Sequence, residues 1–133
     1  MGTDEPRYLT YAEAVLIHIG LMRLMGESPY GVFERSLIES ALARPRHAAI
    51  YEGADLVRQA ATLCYGLIKN HPWAGGNKRT ATAIMRIFLR LNNHKVVART
   101  SEQLEMVLAV ESNRWHVSEI EAWLRSHVAT VEH

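Results

Sequence analysis

Apolar residues recur at intervals of three and four along most of the chain, the spacing of helices with one buried face. Thr10 and Glu13 stand at capping-box spacing, and Val15, Leu16, Ile19, Met22, Leu24 and Met25 follow them. Gly26 to Gly31, with Pro29 between them, predicts a loop. Ser36 and Glu39 repeat the capping spacing before a short helix through Leu42. Arg44-Pro45-Arg46 should stop it, because the residue before a proline is driven out of the helical region. Residues 47–53 read as an extended flap ended by Gly53.

A long helix over 55–70 carries Leu56, Ala60, Leu63, Leu67 and Ile68 on one face, and Pro72 and the glycines after it break that helix. A second long helix from Asn77 to Asn92 places Ala81, Ile84, Ile87, Phe88 and Leu91 along a stripe. Asn92-Asn93-His94 reads as a helix exit and Val96-Val97-Ala98 as a short extended piece. Thr100 with Gln103 opens a helix through Glu111, and Ser118 with Glu121 opens the last one, through Ala129. No run alternates with period two for long enough to form a real sheet. The expected class is all-α, about six helices, with residues 1–133 as one domain.

Composition narrows this picture without redirecting it. Apolar residues are 48% and charged residues 22%, an ordinary globular balance. A net charge of +1 argues against a general nucleic-acid binder, which needs a strong basic excess. The one cysteine, Cys64, excludes an intrachain disulfide and sits in an apolar run, as a small buried hydrophobe does. The polar start shows no signal peptide and no apolar run is long enough to span a membrane, so a reducing cytoplasm is the expected location.

The candidate chemistry lies between the two long helices, in His71-Pro72-Trp73-Ala74-Gly75-Gly76-Asn77-Lys78-Arg79-Thr80. A helix N-terminus presents unpaired N–H groups and a partial positive charge, and glycines let backbone approach a ligand closely. Gly76, Asn77 and Lys78 would therefore cradle a phosphate, with Lys78 and Arg79 supplying charge. Asn77 offers an amide to a phosphate oxygen or a target hydroxyl, and His71 stands where it can take a proton from a hydroxyl nucleophile. Taken singly, each feature has an ordinary explanation: a helix-capping histidine, a Gly-Gly turn, a solvated cation pair. Their joint occurrence points to phosphoryl or nucleotidyl transfer, a reaction run mostly by positioning and charge. A P-loop does not fit, because a helix precedes the motif and Asn77 separates Gly76 from Lys78. A helical RNase motif of the HEPN type needs a wider spacing than Arg90 and His94 provide.

These residues resemble the signature His-x-Phe-x-acid-(Gly/Ala)-Asn-(Gly/Lys)-Arg of the Fic/Doc family, specifically its Doc (death-on-curing) toxin branch. Leu42-Ala43-Arg44-Pro45, the helix over 54–70 and the segment from Phe88 to Asn93 extend the likeness to about residues 8–127. The resemblance implies an all-α fold with the motif on a loop between two central helices. It implies transfer of the ATP γ-phosphate to a threonine of elongation factor Tu, with Mg²⁺ at the phosphates and a Phd-type antitoxin covering the site. His71 would then be the base, Gly76, Asn77 and Lys78 the phosphate holders, and Arg79 the residue completing the anion site. Lys78 marks the phosphate-transferring branch where AMP transferases have glycine. Thr82 occupies the place of a second arginine, which also speaks against AMP transfer. Arg46 and Tyr51 would belong to a flap that docks the target. Trp73 stands for the family's buried phenylalanine. No intact copy of the family's self-inhibitory motif is present: Glu52-Gly53 has Ala48 at the hydroxyl position, and Ser101 with Glu105 is followed by Met106.

One position departs from the pattern. The family has an acidic residue where this chain has Gly75, and that carboxylate helps hold the metal ion. Mg²⁺ favours hard oxygen ligands, so Gly75 predicts weakened metal binding and slower transfer, or a silent binding module. Glu52 and Asp55 are the candidate replacements.

Overall fold

A computed structural model describes residues 5–27 and 33–131. Within them the chain folds as α1 (Tyr11–Leu24), α2 (Arg35–Glu52), α3 (Leu56–Asn70), α4 (Asn77–Leu91), β1 (His94–Val96), α5 (Thr100–Glu111), α6 (Val117–His127) and β2 (Val128–Thr130). The all-α expectation holds. The two strands, three residues each, pair antiparallel with His94 opposite Thr130. They replace the expected extended piece at 96–98 and the last residues of the final helix.

α3 is the axis of the molecule and packs against α2, α4, α5 and α6. Ten of its fifteen residues are buried, the polar Gln59 and Thr62 among them. Asp55 starts it by accepting a bond from the Arg58 N–H at 3.0 Å. Gly66, at its middle, is a notch: a Cβ there would stand 2.6 Å from the Arg44 side chain of α2. The glycine costs about 1 kcal/mol of helix propensity, and in return the Arg44 stem lies flat against α3.

α2 is where the sequence reading fails. Pro45 does not end it; the helix runs on to Glu52, and the expected flap over 47–53 is its final turns. Ile38, Ala41, Pro45 and Ala48 form one buried stripe at helical spacing. Proline deprives one carbonyl of its donor at a cost of about 3 kcal/mol, but burying this stripe against α3 outweighs that cost. The helix stops at Gly53, whose φ of 65° suits a left-handed cap.

α1 opens as the sequence predicts. The Thr10 N–H donates to Glu13 at 2.9 Å, and the Glu13 N–H donates to Thr10 at 3.1 Å. Its buried face is Ala14, His18 and Met22, while Leu16 and Leu24 are exposed. It closes with Gly26 at φ +67° and a bond from the Glu27 N–H to the Met22 carbonyl at 2.9 Å. Residues 28–31 of the predicted loop lie outside the described residues. The caps of α5 and α6 are Arg99 and His116, one and two residues before the predicted Thr100 and Ser118, with Glu102 and Glu119 accepting from their N–H groups. Cys64 is fully buried, which pushes its thiol up to about 12.

Candidate active site

The loop over 71–76 joins the two most central helices. His71 caps α3 in a left-handed conformation, φ 51° and ψ 55°, which costs a residue with a Cβ about 1–2 kcal/mol. The residue is exposed. Pro72 cannot extend α3, and the chain passes through Trp73, buried and bridged to Phe33 in an antiparallel pair. Trp73 thus takes the buried aromatic place expected of it.

Gly75 and Gly76 are not equivalent. Gly76 is the N-cap of α4 at φ +72°, and a Cβ on it would stand 2.5 Å from Met22 Sδ. Only glycine fits there. Gly75 has no left-handed φ, and a Cβ on it would meet only Met22 Cε at 3.8 Å. A Cβ has room at Gly75, so the backbone does not dictate its glycine. Because Gly76 has no side chain, no side chain caps α4, and the first-turn N–H groups are presented for a ligand.

The Asn77 amide is engaged within the loop itself. It is buried; its Oδ1 accepts from the Trp73 N–H at 2.9 Å, and its Nδ2 donates to the Trp73 carbonyl at 2.8 Å. This pair orients the amide, so the second Nδ2 hydrogen points to His71 Nδ1 at 3.3 Å. Asn77 is therefore a clamp that closes the loop and holds the histidine, and its own N–H is what it offers an anion. With Nδ1 accepting, neutral His71 carries its proton on Nε2.

A cavity of about 280 Å³ lies over the helix start, lined by Glu27, His71 and residues 74–79. The structure thus gathers His71, Gly75, Gly76, Asn77, Lys78 and Arg79 into one site. It also adds Glu27, which sequence reasoning missed. The Arg79 guanidinium donates to the Glu27 carboxylate, and Lys78 Nζ stands 3.3 Å from Glu111. No signal in the sequence links positions 27 and 79. A second cavity of about 250 Å³, lined by Phe33, Glu34, His71, Pro72, Trp73 and Ala74, shares His71 with the first.

The other predicted residues lie elsewhere. Arg46 and Tyr51 sit on α2, lining a groove of about 500 Å³ with Tyr8, Tyr11 and Ile50. No residue of that groove lines the cavity of His71. Arg46 stacks over the Tyr8 ring at 4.7 Å and pairs with Glu5 at 3.5 Å. Asp55 is occupied by its capping bond and by Arg125 at 3.0 Å, and Glu52 stands 3.5 Å from Arg58. Neither carboxylate lines the His71 cavity, so neither replaces the acid missing at Gly75. Among the described residues there is no group of three or more His, Cys, Asp or Glu side chains arranged to hold a metal. As arranged here, no carboxylate stands free in the cavity to hold Mg²⁺: the acidic position is glycine, and Glu27 is paired with Arg79. Thr82 bonds back to its own helix, at the Lys78 and Arg79 carbonyls.

Beneath the loop lies His18, fully buried in α1. Its Nδ1 stands 2.9 Å from Thr80 Oγ1, and its ring stacks on Trp73 with centroids 4.7 Å apart. Burial holds its pKa below the usual histidine value, favouring the neutral ring. His18 Nε2 and Trp73 Nε1 are buried without a hydrogen-bond partner. Each such atom costs about 1–3 kcal/mol.

A helical fold with this loop, running from an exposed histidine through a left-handed glycine to a basic, uncapped helix start, defines a class that comparison with known proteins identifies. A profile described as the Fic/DOC family matches residues 8–89, and the chain belongs to that family. Among individual proteins, it is 39% identical over 71 residues to the Toxin Doc of Mycolicibacterium smegmatis (strain ATCC 700084 / mc(2)155), a match covering 50% of this chain. The chain spans about half the length of that curated relative, 53%. No helix among the described residues is long and apolar enough to cross a membrane.

Proposed function

We propose that this chain is a Doc-type toxin that transfers the γ-phosphate of ATP to a hydroxyl of a translation factor, a threonine of the elongation factor Tu class. A Phd-type antitoxin would hold it in check in the bacterial cytoplasm. The observation carrying this reading is the place of His71, on the ridge between two cavities. One carries Lys78 and Arg79 at the open N-terminus of α4, suited to a triphosphate. The other is flanked by the extended backbone of Phe33 and Trp73, suited to a hydroxyl-bearing peptide.

In this reading the N–H groups of the first turn, with Lys78 and Arg79, bind and orient the phosphates. Arg79 exchanges the Glu27 carboxylate for a phosphate oxygen, and Lys78 likewise leaves Glu111. His71 takes the proton of the attacking hydroxyl as that oxygen bonds to phosphorus and the bond to the ADP oxygen breaks. The acceptor must be a ring nitrogen with a free lone pair. Since Nδ1 receives the Asn77 hydrogen, either the 3.3 Å bond yields Nδ1 or the proton moves from Nε2 first. The long bond makes that exchange inexpensive.

Gly75 favours a second reading, a weakly active or silent member that binds nucleotide without transferring efficiently. The experiment is incubation with elongation factor Tu, Mg²⁺ and ATP labelled at either the γ- or the α-phosphate. Label from the γ-position on the factor supports the kinase. Label from the α-position means AMP transfer and overturns it. Nucleotide binding by the folded protein without label on any protein establishes the silent form.

A further inference from the structure

The underside of the loop holds a histidine where the packing alone calls for none. A phenylalanine at position 18 would fill the same space and stack on Trp73 without leaving a ring nitrogen unpartnered. What the imidazole adds is its contact with Thr80. The Thr80 N–H bonds to the Gly76 carbonyl at 2.9 Å, so fixing Thr80 fixes the first turn of α4. The other face of the contact is Trp73, whose N–H and carbonyl are the two groups gripped by Asn77. His18 therefore touches both ends of the loop over 73–80. Met22, one turn along α1, fills the space under Gly76.

We propose that His18 is a positioning residue for the anion loop, holding the α4 first turn and the Trp73–Asn77 clamp in one arrangement through Thr80 and the Trp73 ring. Only the ligand-binding arm of its test rests on the phosphate-site reading above.

Three single variants separate the contacts. His18→Phe keeps the stack and removes the bond. Thr80→Val removes the same bond from the other side. His18→Asn keeps a hydrogen-bonding atom near the Nδ1 position and loses the stack. In the ligand-free protein, amide hydrogen exchange of Trp73 and Thr80 should quicken about tenfold in His18→Phe and in Thr80→Val, the worth of one buried hydrogen bond. The double variant should be no faster than either single one, and Leu63 and Leu67 in α3 should keep their rates. Affinity for the non-hydrolysable β,γ-imido analogue of ATP should fall about tenfold in the same two variants and recover in part in His18→Asn. Unchanged exchange at Trp73 and Thr80, or equal quickening throughout α3, would overturn the proposal. Failure of the unaltered protein to bind the analogue would instead sink the nucleotide-site reading, and the exchange rates would still decide the role of His18.

Discussion

Replacing Gly76 by alanine should be far more damaging than replacing its neighbour, and the structure sets the size of the difference. At φ +72° a residue with a Cβ loses about 1–2 kcal/mol. The new methyl would also stand 2.5 Å from Met22 Sδ. Met22 is 1% exposed, so its side chain has little room to retreat, and overpacking of this kind costs about 1–3 kcal/mol. The sum is about 2–5 kcal/mol, within the total stability of a small domain. Gly75→Ala meets neither obstacle and should change stability by less than about 0.5 kcal/mol. Urea denaturation with linear extrapolation measures both. Shortening Met22 in the Gly76→Ala background should recover the packing share and leave the backbone share, visible as coupling in a double-mutant cycle. Equal stability of the two alanine variants would refute the left-handed cap and the Met22 floor beneath it.

Other outcomes follow from the same geometry. Gly75→Asp should raise divalent-ion affinity, read by calorimetry, and the transfer rate with it; no gain in either would show that the acidic position is not what limits this site. Glu27→Gln frees Arg79 from a half-exposed ion pair and should tighten analogue binding about two- to fivefold, while weaker binding would count against competition between carboxylate and phosphate. His71→Ala should lower γ-phosphate transfer at least about a hundredfold and abolish growth inhibition, and undiminished toxicity would remove His71 from the chemistry. Burial depresses the His18 pKa, so the unfolded chain takes up a proton that the folded one resists. That contribution to stability is complete above about pH 6.5 and fades as pH falls below it, before the depressed carboxylates Glu13, Glu102 and Glu121 are protonated. A His18→Phe variant should show a flatter stability profile across that window.

The site loop was legible because its residues are contiguous and each has a strong local meaning. Thr10 and Glu13 were legible for the same reason, as a cap is a short-range device. α2 was misread because the rule applied to Pro45 is local, whereas the outcome depends on the buried stripe from Ile38 to Ala48. That stripe keeps helical spacing through the proline, a signal available in the sequence. The buried face of α1 was not legible, for a different reason. Val15, Leu16, Ile17, Ile19 and Leu21 make the helix apolar nearly all round, so periodicity does not select a side. The floor under Gly76 selects it, and that floor exists only in three dimensions. Glu27 was invisible for the same cause, being 52 positions from the arginine it meets.

The two ion pairs that occupy Lys78 and Arg79 bear on how a ligand arrives. Each cation of the loop already has a carboxylate beside it, Glu111 or Glu27. Beyond a Debye length, about 8 Å in physiological salt, these four charges largely cancel one another. A polyanion would not be drawn in from afar, and its capture should proceed at the ordinary rate of unsteered encounters, with little dependence on ionic strength. Discrimination then falls to contact, where a phosphate competes with a carboxylate for the same guanidinium. A stray nucleic-acid backbone, attracted mainly by long-range charge, would find nothing here to follow.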